Sequence, residues 1–318
     1  MKTPRRILIS PLDWGLGHAS RIIPLINRYL EQGDNVIIAG SGLSLNLLKK
    51  QFPTLESIEI PSFKMKYSAG KSQVWAVAKA FPKLIYYSIR EHSALKRIVK
   101  EKNIDFIISD NRFGLYHKTV PSAYITHQLL IKLPKGWAWL EPFVAFVHRC
   151  IINRFTECWV PDFEDMSESL AGELSHPTKK PRNVRYIGTL SRFQLGASNL
   201  RSLALAILSG AEPQRSIFEK ELLVSLQSKP HENIILVQGK IEAEQKVSKV
   251  GKVTVYNFMS SEELQEYILK ADEIICRSGY SSIMDLHALG KLLNATLIPT
   301  PGQTEQEYLA KYISNHIK

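Results

Sequence analysis

Cysteine is scarce in this 318-residue chain: Cys150, Cys158 and Cys276, with no CxxC spacing. That excludes a disulfide framework, argues against a zinc site and suits a reducing compartment. Long apolar runs are also missing. No stretch approaches the roughly 18 apolar residues that a bilayer-spanning helix needs. The best candidate, Phe143 to Ile152, is short and broken by His148 and Arg149. The opening MKTPRRILIS is basic but runs straight into a strand-like segment. It lacks the longer apolar stretch and small-residue cleavage site of a secretory leader, so the expected location is the cytoplasm. Low-complexity tracts and short-period repeats are absent.

What is present fits a globular protein. Hydrophobic residues make up 44% and charged residues 22%, so disorder is not expected. The length is too great for one ordinary α/β core and comfortable for two. The net charge of +11 is unevenly spread. Residues 1–160 hold 23 Lys and Arg against 11 Asp and Glu, a balance of +12; residues 161–318 hold 18 against 19, a balance of −1. Two readings are open: a face that meets an anionic partner, or a lysine-rich solvated face.

Strand-like and helix-like segments alternate. In the first half the strands are Arg6–Pro11, Asn35–Ala39, Ser57–Ile60, Asp105–Ser109 and Ser122–Thr126; the helices are Ser20–Glu31, Leu43–Gln51 and Val74–Glu101. In the second half the strands are Leu203–Leu208, Asn233–Val237, Val253–Asn257, Glu273–Cys276 and Asn294–Pro299. Helices are expected over Pro213–Gln227, Ser261–Ala271, Ser281–Leu289 and Thr304–Ile313. Such alternation implies βαβ units and parallel sheets covered on both faces. The polar, acidic segment 161–186 reads as a connection between a domain over 1–160 and another over 187–318. Two consecutive doubly wound domains predict a ligand cleft between the carboxyl ends of their sheets.

The chemistry-bearing residues lie at those carboxyl ends. The first loop, Pro11-Leu-Asp-Trp-Gly15-Leu-Gly17-His18, permits a tight turn and close ligand approach. The third glycine of a dinucleotide fingerprint is missing; Arg21 stands in its place. His18 reads either as a helix-start packing residue or as a general base. Asp110, ending the fourth strand, either caps its loop or orients His18. His127 adds a polar group at the same rim, for acceptor hydroxyls or for backbone. In the second half, Ser209-Gly210-Ala211-Glu212-Pro213-Gln214-Arg215 joins a strand to a helix whose start can hold an anion. Glu212 opposes a phosphate there, and Arg215 with Arg192 can offset it. The run Arg277-Ser278-Gly279 turns a strand into a helix, and Asp285 lies about two turns further on. A carboxylate there can take two hydroxyls of a ribose. Gln306 and Glu307 open the last helix; they can grip sugar hydroxyls, or form a capping box with Thr304.

Together these stretches resemble the GT-B glycosyltransferases, above all the MurG-like enzymes of glycosyltransferase family 28, over nearly the whole chain. The resemblance implies an α/β fold of two Rossmann-like domains facing across a cleft. It implies an inverting transfer from a UDP-sugar held mainly by the C-terminal domain, to a lipid-linked or cell-envelope acceptor. By motif match Asp285 falls at the ribose-binding acid and Arg192 near the nucleotide. Ser209, Gly210, Gln214 and Arg215 fall at the phosphate loop, which here lacks the family's glycine richness. Arg277, Ser278 and Gly279 form the other donor turn, and Gln306 and Glu307 fall where two glutamines hold the donor sugar. Glu307 departs from that pattern and leaves the sugar open between a hexose and an N-acetylhexosamine. Gly15, Gly17 and His127 fall on the acceptor side, with His18 and Asp110 as a base dyad of the plant-type GT-B enzymes. The chain carries no Asp-x-Asp motif of metal-dependent transferases, so no metal or cofactor is expected beyond the UDP-sugar co-substrate. Helix starts and arginines then stabilise the leaving diphosphate.

The segment Leu133-Pro-Lys-Gly-Trp137-Ala-Trp139-Leu140-Glu-Pro-Phe143-Val-Ala-Phe146 lies between Lys132 and Arg149. It reads as a contact with an anionic membrane surface, peripheral at the inner face of the cell membrane, or as a buried inter-helix core. Two other functions of the same fold stay open, a nucleotide-sugar 2-epimerase and a non-catalytic nucleotide-sugar binder. Nucleic acid is not an expected partner, because no recognisable binding fold interleaves aromatic and basic residues and the second half is acidic.

Overall fold

The computed structural model describes residues 3–63, 74–196, 201–240 and 242–316. They fall into two compact units that meet in sequence between Leu190 and Ser191.

In the first unit, short runs of β-branched residues make buried strands. The elements are β1 (Arg6–Pro11), α1 (Leu16–Glu31), β2 (Asn35–Gly40), α2 (Gly42–Gln51), β3 (Glu56–Glu59), α3 (Val74–Lys102), β4 (Phe106–Asp110), β5 (Ser122–Ile125), α4 (Glu141–Ile152), β6 (Glu157–Val160) and β7 (Val184–Tyr186). The seven strands lie in the order β3-β2-β1-β4-β5-β6-β7, every pair parallel. The chain starts in the middle of the sheet, builds toward one edge, then returns beside β1 and builds toward the other. The switch point therefore lies between β1 and β4, where open α/β sheets hold their ligands at the carboxyl ends. On one face Leu8, Ile37 and Ile107 pack with Leu95 and Ile98 of α3. The alternate residues Ile7 and Ile9 are buried too, as period-two alternation in a two-sided sheet requires.

Residues 161–186, expected as a connection, belong to this unit instead. Strand β7 adds to β6 in the first sheet. Behind it, the buried Asp162 carboxylate accepts five hydrogen bonds. They come from the backbone N–H groups of Phe163, Leu170 and Ala171 (2.9, 2.9 and 3.2 Å) and the hydroxyls of Ser169 and Ser175 (2.7 and 2.6 Å). Polar composition here means an internally satisfied knot, not a linker.

The second unit contains β8 (Arg201–Ile207), α5 (Gln214–Leu226), β9 (Asn233–Val237), β10 (Val247–Val250), β11 (Val253–Tyr256), α6 (Ser261–Lys270), β12 (Ala271–Arg277), α7 (Tyr280–Ala288), β13 (Ala295–Ile298) and α8 (Thr304–His316). Its order is β10-β11-β9-β8-β12-β13; only the β10–β11 pair is antiparallel. The same logic puts this switch point between β8 and β12. Phe218, Leu222 and Leu226 of α5, at four-residue spacing, fill the core against Ala204, Ala206 and Leu236, each contributing about 1.5–3 kcal/mol by burial. Helix α6 is capped by the Ser260 hydroxyl, which accepts from the Glu263 N–H at 3.1 Å. Gly239, just past β9, has φ +65° and lies so close to the Leu208 carbonyl that a Cβ would stand 2.6 Å from its oxygen; only glycine fits.

Candidate active site

At the first switch point, parallel pairing of β1 with β4 sets Pro11 opposite Asp110, and the Leu12 N–H donates to the Asp110 carbonyl at 3.0 Å. The loop after β1 and the end of β4 are thereby neighbours. Helix α1 begins at Leu16, four residues earlier than its sequence pattern indicates, so Gly17 and His18 lie in its first turn. Gly15 precedes it, with open space where a side chain would stand. His18 Nδ1 lies 3.1 Å from Asp110 Oδ2. The His18 side chain is one-fifth exposed and that of Asp110 fully buried.

Arg21 completes the cluster. Its Nε donates to Asp110 Oδ2 at 2.8 Å, its Nη2 donates to Oδ1, and the same Nη2 lies 2.9 Å from His18 Nδ1. Burial works against the Asp110 charge, but Arg21 and then His18 lower its pKa to about 2. The residue that breaks the glycine fingerprint is thus the partner of the candidate dyad. Because α1 begins at Leu16, the three-residue spacing of His18 and Arg21 puts both on one helix face.

Around this cluster, Asn111 adopts a left-handed φ of +56° that asparagine tolerates, and accepts from the Tyr124 hydroxyl at 3.0 Å. Arg112 is buried and paired with Glu91 of α3 at 3.0 Å. His127 follows β5, the strand beside β4, and is 4% exposed. Trp14, in the first loop, donates its indole N–H to the Phe63 carbonyl at 3.0 Å. Phe63 in turn contacts Tyr87, and with Ser62, Lys83 and Tyr86 these two line an open cavity of about 490 Å³. That aromatic wall escaped sequence reasoning, because its members come from three separate elements.

At the second switch point, the loops after β8, β12 and β13 share one edge. Several expected ligand residues are hydrogen-bonded to nearby backbone, and two of them, Arg277 and Ser278, are buried. Arg277 is 4% exposed; its guanidinium donates to the Pro299 carbonyl at 2.8 Å and stacks on the Phe218 ring. Ser278 donates its hydroxyl to the Gln306 carbonyl at 2.8 Å. The Gln306 and Glu307 side chains accept from the Thr300 and Gly302 N–H groups at 2.8 and 3.1 Å, closing their own loop. Thr304 is the first residue of α8. Arg215 donates to the Gln238 carbonyl at 3.0 Å and pairs with Glu212, whose other oxygen accepts from the Ser216 N–H. Ser209 and Gly210 stand at this edge, Gly210 exposed with open space beside its Cα, while Gln214 is buried. Gly279 precedes α7, again with open space beside it.

Asp285, on α7, accepts from the Ser191 hydroxyl at 2.6 Å. Burial pushes its pKa up to about 6, outweighing Arg192 and Ser191. Arg192 feels burial in the opposite sense, its pKa lowered despite Asp285 and Glu262. Its buried Nε has no hydrogen-bond partner among the described residues.

Residues 196–318 match the glycosyltransferase family 28 C-terminal domain. The chain is 25% identical over 324 aligned residues to an uncharacterized glycosyltransferase of Methanosarcina acetivorans, covering 95% of this chain and 81% of that protein. It is 23% identical over 312 residues to the UDP-N-acetylglucosamine–N-acetylmuramyl-(pentapeptide) pyrophosphoryl-undecaprenol N-acetylglucosamine transferase of a Sulfurihydrogenibium species (98% and 83% covered). The crystal structure of the calicheamicin glycosyltransferase CalG4 superposes with a TM-score of 0.66 at 11% identity, over 99% of this chain and 84% of that one. The fold is that of the GT-B glycosyltransferases. With residues 196–318 matching that domain and both relatives named as transferases, the chain is a glycosyltransferase of EC class 2.4.

Proposed function

We propose that the chain is an inverting glycosyltransferase that passes a hexose or N-acetylhexosamine from a UDP-sugar to an acceptor hydroxyl. His18 takes the hydroxyl proton on Nε2 as that oxygen bonds to the anomeric carbon. The bond from the anomeric carbon to the diphosphate breaks in the same step, its electrons leaving with UDP. The observation that carries this is the 3.1 Å contact of His18 Nδ1 with a buried, ionised Asp110, which leaves Nε2 for the substrate. Donor binding falls to the second unit. Asp285 takes the ribose hydroxyls, and Arg192 and the starts of α5 and α7 face the diphosphate, with no resident metal required. His18→Ala should lower kcat by about 10²–10⁴-fold while UDP affinity stays near wild type. Near-normal turnover in that variant would remove the base assignment.

The acceptor is proposed to be lipid-linked, as the Sulfurihydrogenibium relative's name describes for its own substrate. Trp139, Phe143 and Phe146 are 74%, 64% and 53% exposed, while His148 and Ile152 on the opposite side of α4 are buried. These aromatics therefore form an outward face and not an inter-helix core. Arg149 lies over the Phe146 ring, and Lys135, at the start of the turn leading into α4, is exposed. Aromatic residues with cations at their margin suit an anionic headgroup layer. The chain should float with phosphatidylglycerol vesicles, and Trp139→Ser with Phe143→Ser should abolish flotation. Equal recovery with neutral vesicles would count against the membrane reading.

A further inference from the structure

One nitrogen of His18 has two opposed neighbours. Asp110 Oδ2, at 3.1 Å, belongs to an ionised carboxylate that only accepts. Arg21 Nη2, at 2.9 Å, belongs to a guanidinium that only donates and stays charged. The carboxylate favours a proton on Nδ1; the guanidinium favours a lone pair there. Once Nε2 gains a proton, the ring is a cation whose Nδ1–H faces both groups. Asp110 then stabilises that cation and Arg21 opposes it. A base that turns over must take a proton and also release it, and Asp110 alone would supply only the first half. Arg21 is 3% exposed and holds both carboxylate oxygens, so neither partner can swing away.

We propose that Arg21 is a positioning residue for the transfer reaction: it fixes Asp110 in a two-point grip and sets how readily His18 gives up its proton. The proposal rests on the reading of His18 as the base. Among the described residues, the charged groups hydrogen-bonded to the His18 ring are Arg21 from α1 and Asp110 from β4; the Tyr124 phenol of β5 lies close enough to feel the charges of both. Burial first, then Cys158 and Asp110, keep that phenol protonated.

The test follows the His18 ring by NMR titration alongside kcat, KM and thermal melting, in the wild type and in Arg21→Gln, Arg21→Lys and Asp110→Asn. In Arg21→Gln the His18 midpoint should rise by about one pH unit, a tenfold change in proton affinity, and the acid limb of kcat should move with it. Asp110→Asn should move the midpoint down. Arg21→Lys keeps the charge but not the fork, so its midpoint should stay close to wild type while kcat falls about tenfold or more at unchanged KM for the donor. A midpoint in Arg21→Gln that stays put or falls overturns the proposal. If Arg21→Gln does not fold, wild-type kcat in Arg21→Lys overturns it. The titration needs no turnover, so a protein with the expected midpoints but no transferase activity would sink the base reading and leave the Arg21 electrostatics standing.

Discussion

The Asp285→Asn substitution gives the sharpest test of the electrostatics in the second unit. The Asp285 carboxyl is raised from 3.8 to about 6, burial prevailing over Arg192 and Ser191. A group whose pKa is higher in the folded state binds its proton more tightly there. Between about pH 4 and pH 6 the folded chain therefore holds the proton that the unfolded chain has lost, and stability declines as pH rises through that interval. The rise corresponds to about 3 kcal/mol, an upper value because the carboxylate is partly open to solvent. The amide in the variant does not titrate. At pH 4 both proteins carry a neutral side chain beside Arg192, so their difference there reflects shape and hydrogen bonding alone. By pH 7.5 the wild type bears the cost of an ionised, desolvated carboxylate and the variant does not. The gap in unfolding free energy should therefore move in favour of Asp285→Asn by up to about 3 kcal/mol, or on the order of 10 °C in Tm for a unit of this size. Urea or thermal unfolding of both proteins at half-unit pH steps measures it. A gap that is constant from pH 4 to 7.5, or that moves toward the wild type, refutes the burial argument. The same variant should bind UDP more weakly if the carboxylate holds the ribose, so greater stability and weaker binding are expected together.

Asp110 carries the opposite sign. Its pKa, lowered to about 2 by Arg21 and His18 against burial, contributes about 2.5 kcal/mol of stability that is complete above about pH 4 and lost as pH falls to about 2; the difference between wild type and Asp110→Asn in acid titration should shrink over that interval. Gly239→Ala should destabilise the second unit by about 2 kcal/mol or more, because its φ of +65° and the Leu208 carbonyl leave no place for a methyl group. Circular dichroism melts of that variant within a few degrees of wild type would contradict the geometry.

Much of the architecture is legible in the sequence, for identifiable reasons. Strands such as Ile7–Ile9 and Ile234–Val237 are buried on both faces and read as unbroken apolar runs, and helices with clear periods follow them. Strands β6 and β7 escaped notice because four and three residues, Glu157–Val160 and Val184–Tyr186, carry no repeat. Strand β10 is an exposed edge, Val247–Val250, held only by its hairpin to β11. The proximity of His18 and Asp110 was legible because both follow adjacent strands of one sheet. The part played by Arg21 was not, since it depends on where α1 begins and on the register that sets Pro11 against Asp110. Gln306 and Glu307 show the commoner limit. Their types suit a ligand, but in the structure they bond backbone N–H groups of their own loop, because short local bonds cost little chain entropy; Arg277 instead reaches the Pro299 carbonyl of the neighbouring loop.

The Asp162 carboxylate leaves a mark on how the first unit opens. With five donors already on its two oxygens, it has no capacity to trade one partner for water without disturbing the others. The surface turns from Phe163 to Ser175 therefore cannot fray residue by residue. Amide deuteration at Leu170 and Ala171 should keep pace with the strands of the sheet, at rates that would look out of place for a stretch without long helices or strands.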